Sequence, residues 1–300
     1  MSSVDTVLSP SNTPTTALAG YNRWHLGQAL GGIGIHAVLL SYTALAMFPI
    51  VLTIINSFKK QGDIFGHPYT IPFGTMFTLL GYQTVFKRAE ALLYLQNSLI
   101  VTGGSVILTL VFGAMAAFAL AEYRFKGNTL LGLYMALGIM IPIRLGTVSI
   151  VRLSSSLGLT GTLQGLIFIY LAQNLPLAIF ILTQFMREIP IDLKDAARID
   201  GASEYRIFLL IVPLIRQALF SVTVFTMIPI WNDLWFPLIM APRDETRTIT
   251  LGVQMFTGQF QTNWSALLAA LTLAMLPVLL IYAIFSRQLI RGLMAGAVKQ

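Results

Sequence analysis

The sequence contains no cysteine, and this absence excludes several kinds of functional site. Without cysteine, the chain has no disulfide bond, no thiolate ligand for a metal and no cysteine nucleophile. The motifs GxxxxGK(S/T), HExxH and GxSxG are also missing, which excludes a P-loop, a zincin site and a nucleophile elbow. Any work that the protein does must therefore draw its energy from a partner protein or from an ion gradient.

Charged residues are scarce as well, at 10% of the chain, whereas 56% of the residues are hydrophobic. A soluble domain ordinarily carries about a quarter charged residues, so this chain could not cover its surface in water. The lipid bilayer is therefore its expected solvent. The formal net charge of +7 does not indicate nucleic-acid binding, because the basic residues are scattered between apolar runs and form no patch or stripe.

The N-terminal segment lacks the early apolar core of a cleavable signal peptide. It is rich in serine, threonine and proline instead, which predicts a largely disordered cytoplasmic tail over residues 1–30. We expect the membrane domain to occupy residues 31–290 and a short cytoplasmic tail to follow over residues 291–300. No soluble domain is expected in between.

Long apolar runs, each nearly free of charge, dominate the rest of the sequence. A spanning helix needs about 20 mainly apolar residues, and five runs meet this requirement. They lie at 33–55, 98–121, 162–186, 217–237 and 264–286. A sixth run, 129–143, stops at Arg144 and resumes before Arg152. We count it as a span because the two ends of the chain then fall on one side, and we expect an all-α membrane protein with six transmembrane helices.

The lysine and arginine residues predict the orientation of these spans. Cytoplasmic loops carry an excess of positive charge. Placing both termini in the cytoplasm puts more basic residues inside than outside, mainly because of the segment 187–216 between the fourth and fifth spans. The outer loops then include residues 58–95 and 239–263.

The segment between the fourth and fifth spans, residues 188–213, combines charged and small side chains, and we call it the coupling loop. Asp192 stands where an N-cap would, with Asp195 in the first turn, where the helix dipole favours an acid. Gly201 permits a turn that a side chain would obstruct, and a second short helix follows over 203–211. This pattern predicts a cytoplasmic helix–turn–helix through which a force could tilt the fifth span. The alternative is an ordinary solvated loop.

The coupling loop resembles the EAA loop of binding-protein-dependent ABC importer permeases. That signature begins Glu-Ala-Ala, has glycine four residues after the second alanine and ends near Ile-x-Pro. Here it reads DAARIDGA, with Ile211 and Pro213 at its end. Stretches such as YLQNSLIVTG, AAFALAEYRFKG and TMIPIWNDLWFPL extend the resemblance across residues 35–300, and they favour the maltose-type second permease of sugar importers. Asp195 replaces the leading glutamate, and Gln217 stands where a second proline often follows.

The resemblance implies an assembly in the bacterial cytoplasmic (inner) membrane. Its other members are a second permease subunit, two ATP-binding subunits that hold ATP and Mg, and a solute-binding protein that delivers a carbohydrate. This chain would itself bind no cofactor and catalyse no reaction. The resemblance also implies that part of the coupling loop docks onto an ATP-binding subunit. The residues concerned are Asp195, Ala196, Ala197, Asp200, Gly201, Ala202, Ile211 and Pro213.

Four polar residues within or near the spans are candidates for a substrate pathway. Gln173 and Asn174 precede Pro176, so a kinked fourth span could expose amides to a sugar. The same amides could instead hydrogen-bond to neighbouring helices. Asn232 and Asp233 lie near the outer end of the fifth span, between two tryptophans that mark a membrane interface. A structural role and a pathway role are both open for this pair.

Two other classes of function remain open from the residues alone. An autonomous ion-coupled secondary transporter would need ionisable groups within the membrane, and Asp233 is the one good candidate. A non-transporting scaffold would tolerate a bulky residue at Gly201. A membrane enzyme is a more distant alternative, because the sequence contains no catalytic cluster.

Overall fold

A computed structural model describes the backbone of residues 15–88, 90–258 and 262–297, and the side chains of residues 34–87, 90–258 and 262–283. Residues 1–14 of the predicted N-terminal tail and the last three residues of the C-terminal tail lie outside the described residues. Within the described ranges every regular element is a helix. The one extended pairing there is an isolated antiparallel bridge between Lys59 and Phe77. The expectation of an all-α protein is confirmed.

Thirteen α-helices occur in the described part of the chain. They are α1 Thr15–Ser57, α2 Gln61–Gly66, α3 Leu80–Arg88, α4 Ala91–Glu122, α5 Asn128–Met140, α6 Thr147–Ser156, α7 Leu163–Arg187, α8 Ile191–Ile199, α9 Glu204–Ile211, α10 Arg216–Asn232, α11 Trp235–Met240, α12 Ile249–Val253 and α13 Trp264–Ala297. Short 3-10 helices lie at Gly74–Met76, Ile143–Gly146, Asp244–Thr246 and Gln254–Phe256.

Four of the described helical stretches are long and apolar enough to cross a bilayer. They are Gly34–Ser57, Ala91–Glu122, Leu163–Arg187 and Trp264–Ala283. Two further pairs of helices pass the same test only together, because each pair is sharply bent at a short break. The pair Asn128–Met140 and Ile143–Ser156 bends by 85°, and the pair Glu204–Ile211 and Arg216–Asn232 bends by 74°. The number of spans is therefore four to six, depending on how the bent pairs are counted.

Contacts divide the chain into two compact units, residues 1–53 and residues 54–300. The described part of the first unit is most of helix α1, which begins at Thr15. Helix α1 thus begins inside the segment 1–30 that the sequence predicts as a tail. Residues 15–30 contain no proline, so no residue there breaks the helix. The side chains of residues 34–49 are exposed.

Helices α4 and α7 form the centre of the second unit and pack closely along each other. Small residues make this approach possible, as they do between membrane helices generally. A Cβ atom added to Gly113 would lie 2.9 Å from the Cβ atom of Ala178. At the Glu122 end of this pair, α8, α9 and the start of α10 complete a buried cluster. The coupling loop is therefore packed onto the helix bundle.

Helix α7 differs from the sequence expectation. The residues before Pro176 predict an interrupted and kinked fourth span, but α7 continues as one helix from Leu163 to Arg187 with Pro176 inside it. The pronounced break lies in the third span instead, between α5 and α6. Pro142 precedes the 3-10 helix there, and its missing N–H prevents an unbroken hydrogen-bond ladder.

Candidate functional site

The coupling loop folds as the predicted helix–turn–helix, with α8 and α9 as its two arms. Gly201 has φ of +77°, in the left-handed region that side chains disfavour. The N–H of Gly201 donates to the carbonyl of Arg198 at 3.0 Å, and the N–H of Ala202 donates to the carbonyl of Ala197 at 2.9 Å. This pair of bonds is a Schellman motif, which satisfies the last carbonyls of α8. Gly201 therefore fixes the angle between the two arms.

The start of α8 corrects one detail of the sequence analysis. Pro190 occupies the N-cap position, and Asp192 lies in the first helical turn and not at the cap. The carboxylate of Asp192 is still near the helix N-terminus, where the macrodipole favours it. At the second arm, Ser203 occupies the N-cap position and α9 begins at Glu204, one residue after the predicted start.

The eight residues assigned to the ATPase contact divide between two faces of the coupling loop. Ala197 and Ala202 are half-buried and pack against the cluster that contains Phe118 and Met186, and Ile211 is fully buried. The other five are exposed: Asp195, Ala196, Asp200, Gly201 and Pro213. The adjacent alanines therefore point in different directions, Ala196 outward and Ala197 inward. Only the exposed five are available to another protein.

Large apolar side chains stand beside these exposed residues. Ile199, at the end of α8, is 86% exposed, and Tyr205 on α9 is 69% exposed. Apolar side chains grouped on a surface with small neighbours are typical of a protein-binding patch. We call Ile199, Tyr205 and the five exposed residues the outer face of the coupling loop.

A carboxylate at the end of α4 anchors the coupling loop from within. Oε2 of Glu122 lies 2.6 Å from Nζ of Lys194, and Oε1 lies 2.7 Å from Nη2 of Arg198. The side chains of Glu122 and Lys194 are only 5% and 6% exposed. Removing one partner of such a buried pair leaves an uncompensated charge, which is strongly destabilising. The end of α4 is thus tied to α8.

Arg198 is the centre of this charge network. Its guanidinium also lies 2.9 Å from Oδ1 of Asp195 and 3.1 Å from Oε1 of Glu204. Hydrogen bonds to Glu204, Glu122 and Asp195 raise the pKa of Arg198 above its already high value. The hydroxyl of Tyr123 donates to Oε2 of Glu204 at 3.0 Å. Both arms of the coupling loop are therefore fastened to α4.

Glu122 was not identified from the sequence, although it lies in the stretch AAFALAEYRFKG. Its partners Lys194 and Arg198 are more than seventy residues away in the chain, so no local spacing connects them. The available signal was an acidic residue directly after a long uncharged run. In the structure, Glu122 joins the end of α4 to α8 through both of these ion pairs.

A second polar cluster lies where two helix breaks meet, and Asp233 is its centre. Asp233 follows α10, and its carboxylate accepts hydrogen bonds from the N–H groups of Trp235 at 3.3 Å and Phe236 at 3.1 Å. It therefore caps the first turn of α11. The hydroxyl of Tyr170 on α7 donates to its Oδ2 at 2.8 Å. The Asp233 side chain is only 10% exposed as a result.

Residues at the break between α5 and α6 also contact the cluster around Asp233. Nη2 of Arg144 lies 3.5 Å from Oδ1 of Asp233, and the guanidinium carbon lies 5.9 Å from the centroid of the Trp235 ring. The indole N–H of Trp235 donates to Oγ1 of Thr147 at 3.1 Å. These contacts join the break between α5 and α6 to the segment between α10 and α11.

The structure separates the four predicted pathway residues. Asn232 and Asp233 line a cavity of about 490 Å³, together with Arg144 and Trp235. Gln173 and Asn174 do not line it. Asn174 is buried, and its Nδ2 donates to the carbonyl of Tyr170 within α7 at 2.8 Å. The sequence analysis noted Arg144 only as the end of an apolar run and did not assign it to this site.

Asp233 gives a first testable prediction, because asparagine retains its capping oxygen and alanine does not. We expect Asp233→Ala to destabilise the protein by about 1–2 kcal/mol through the lost cap, and by more through the unpaired Tyr170 hydroxyl. Asp233→Asn should be milder, since its one amide oxygen can still accept from Phe236 N and the Tyr170 hydroxyl, while the charge and the acceptor for Trp235 N are lost. Thermal unfolding of the detergent-solubilised protein measures both. Equal destabilisation by the two variants would contradict the capping role.

Comparisons with known proteins show which family and which relatives this chain is similar to. Residues 109–294 match the profile of a family described as "Binding-protein-dependent transport system inner membrane component". A putative ABC transporter permease protein of Caldicellulosiruptor is 36% identical, over 87% of this chain and 94% of that protein. A diacetylchitobiose uptake system permease of Streptomyces coelicolor is 31% identical, over 88% and 86%. A trehalose/maltose transport system permease of Thermococcus litoralis is 30% identical, over 88% and 95%.

One solved structure shows the same fold. It is the crystal structure of a bacterial ABC transporter involved in the import of the acidic polysaccharide alginate. The TM-score is 0.72 at 18% sequence identity, and the alignment covers 93% of this chain and 99% of the matched one. At this identity the likeness concerns the fold alone.

Proposed function

This chain belongs to the family of binding-protein-dependent transport system inner membrane components, and from that premise we propose that it is the permease subunit of an ATP-driven importer of a sugar or related carbohydrate. The observation that carries the proposal is the packed helix–turn–helix of α8 and α9, with an exposed outer face and a charged anchor to α4. The named substrates of two relatives, diacetylchitobiose and trehalose/maltose, support a carbohydrate. Family membership favours this function over an ion-coupled transporter.

The proposed topology has six spans. Each bent helix pair contributes one span, so the third comprises α5 and α6, and the fifth is α10, with α9 before it as the second arm of the coupling loop. Both termini and the coupling loop then face the cytoplasm of a bacterial cell, across its inner membrane. The excess of basic residues around the coupling loop supports this orientation.

The proposed assembly pairs this chain with a second permease. Two ATP-binding subunits bind ATP and Mg in the cytoplasm, because this sequence has no P-loop of its own. A solute-binding protein delivers the carbohydrate at the outer surface. This chain forms half of the translocation path and catalyses no reaction.

The contacts of the coupling loop with α4 and α10 explain how ATP binding could move the spans. ATP binding draws the two ATP-binding subunits together and moves the outer face of the loop with them. Glu122 carries the movement into α4, and α9 carries it into α10. The spans then open outward to accept the solute, and hydrolysis returns them. Nucleotide and solute can drive this cycle only by binding the two states with different affinities.

The outer face gives a second prediction, at Ile199. Burying this side chain against an ATP-binding subunit is worth about 1.5–3 kcal/mol, so Ile199→Gln should lower the co-purified ATPase about tenfold or more. Phe125→Gln is the matched control, because Phe125 is an exposed apolar residue on the same side but outside the coupling loop. The ratio of the two chains after affinity purification measures the effect. Equal losses in both variants would contradict the assigned contact.

The decisive experiment for the proposed function is purification of the tagged chain in a mild detergent. An ATP-binding subunit and a second permease should co-purify, and ATP hydrolysis should rise when the solute-loaded binding protein is added. In cells, uptake should survive an uncoupler and stop on ATP depletion. Uptake that stops with the uncoupler alone would favour the ion-coupled transporter, and a chain that purifies alone would refute the assembly.

We keep only two of the four residues that the sequence suggests for the solute path. We propose that Asn232 and Asp233 line the solute path, because both border the cavity between the helix breaks. For Asn174 we favour a structural role, since it is buried and bonded within its own helix. Gln173 is exposed on α7, away from that cavity, and we assign it to contacts with the partner permease.

A further inference from the structure

Arg144 carries a positive charge at the break in the proposed third span. Its side chain is 66% exposed, and the described residues offer its guanidinium a single carboxylate, Asp233, at 3.5 Å. A charged side chain at membrane depth is costly unless it faces the bundle interior, a water-filled cavity or a partner group. The guanidinium meets these conditions, because it pairs with Asp233 and borders a cavity through which an anionic ligand could reach it.

On the proposed topology, in which α5 and α10 start at the inner boundary of the hydrocarbon core, the helix lengths put this charge within that layer. At 1.5 Å per residue, the 17 residues of α10 put Asp233 about 25 Å from the inner end of that helix. The 13 residues of α5 put the break before Arg144 about 20 Å from the inner end of α5. The hydrocarbon core is about 30 Å thick, so both groups lie in its outer part.

The carboxylate of Asp233 balances the charge of Arg144 but leaves most of its N–H donors unpaired, because the carboxylate oxygens already serve other donors. It accepts hydrogen bonds from the Tyr170 hydroxyl at 2.8 Å, from Phe236 N at 3.1 Å and from Trp235 N at 3.3 Å. Its contact with Arg144 is the longest of the four. A guanidinium has five N–H donors in a planar fork, and most of those on Arg144 remain available.

The remaining walls of the cavity suit a carbohydrate. Nδ2 of Asn232 donates to the carbonyl of Ile228 at 2.9 Å, which leaves Oδ1 to accept from a sugar hydroxyl. The side chain of Trp235 is 42% exposed and offers an apolar ring face. The volume of about 490 Å³ falls within the range of small-molecule sites.

We propose that this cavity is a solute site in the translocation path and that Arg144 selects carbohydrates bearing an acidic group, either a carboxylate or a phosphate. The guanidinium fork binds the anionic group, Asn232 accepts from a hydroxyl, and Trp235 stacks on the sugar ring. A neutral sugar offers the unpaired N–H groups of Arg144 only uncharged, weaker acceptors, which is the basis of the selectivity. The proposal rests on the proposed transport function.

Direct binding to the partner solute-binding protein provides the first test. The probes are a glucuronate-containing disaccharide, a hexose 6-phosphate and the neutral sugar corresponding to each. Calorimetry should detect binding of at least one acidic probe, and the two acidic arms distinguish a carboxylate from a phosphate. Binding of the neutral sugars alone, or of none of the four probes, would overturn the proposal.

Uptake by the complete complex in proteoliposomes provides the second test, with the acidic probe that binds. Arg144→Gln should lower its initial uptake rate at least tenfold, whereas Arg144→Lys, which keeps the charge, should lower it less than threefold. Arg152→Gln is the matched control, because Arg152 is an exposed arginine on α6 that does not line the cavity. Its uptake should match that of the unmodified protein.

Two outcomes of this second test would overturn the proposal. One is full uptake of the acidic probe by Arg144→Gln. The other is loss of the second permease from the purified Arg144→Gln complex, which would mean that Arg144 pairs with a carboxylate of that subunit. Failure of the proposed function looks different, because then no ATP-binding subunit accompanies the unmodified chain.

Discussion

Replacing Gly201 by valine is expected to lower solute uptake more than tenfold and to abolish the stimulation of ATP hydrolysis by the loaded binding protein. The backbone of Gly201 has φ of +77°, and a β-branched residue there is a conformational outlier. A Cβ atom at this position would meet nothing within 4 Å, so the effect arises from the backbone and not from a clash. The turn must open, and the Schellman bonds that set the angle between α8 and α9 are then lost.

A second glycine provides a matched control for this experiment. Gly127, before α5, has φ of +99°, and a Cβ atom there would also meet open space. Gly127→Val therefore introduces similar backbone strain on the same side of the membrane but outside the coupling loop, and uptake should fall much less. Gly201→Asn should be the mildest change, because asparagine tolerates the left-handed region. Equal losses in Gly127→Val and Gly201→Val would mean that general destabilisation, and not the coupling loop, explains the result.

The coupling loop shows how far local patterns predict this structure. The two arms, the turn at Gly201 and the position of Ser203 all follow from residues within a few positions of one another. The direction in which each side chain faces cannot be predicted from such local patterns. Ala196 and Ala197 are neighbours in one motif, but only the packing of α8 against α4 and α7 decides which of them is buried.

The third span shows a second limit of sequence reasoning. Hydropathy predicts an apolar run up to Arg144 and its resumption afterwards, and helices α5 and α6 occupy those positions. The 85° bend between them is not encoded in hydropathy, because a bent and a straight span have the same composition. Pro142 marks the place of the bend, and the contacts of Arg144 and Thr147 with α11 stabilise its direction.

Replacing Glu122 by glutamine is the second change from which we expect a large effect. The ammonium of Lys194, with a side chain 6% exposed, would then face a neutral amide, and breaking a buried pair in this way costs about 3–5 kcal/mol. The apparent melting temperature of the complex should fall by several degrees, and ATP hydrolysis stimulated by the loaded binding protein should fall about tenfold or more. Glu245→Gln is the control, because Glu245 is an exposed glutamate outside the coupling loop. Its effect should be within about 0.5 kcal/mol.

The double variant Glu122→Gln with Lys194→Met separates stability from transmission of force. Methionine removes the buried ammonium and keeps an unbranched side chain of similar length, so most of the lost stability should return. The contact between α4 and α8 would then lack its ion pair, and Arg198 would keep only Asp195 and Glu204 as charged partners. If the Glu122 anchor transmits the movement of the ATP-binding subunits, the melting temperature recovers in the double variant but stimulated ATP hydrolysis stays low. Recovery of both quantities together would mean that the anchor serves stability alone and that α9 and α10 suffice to move the spans.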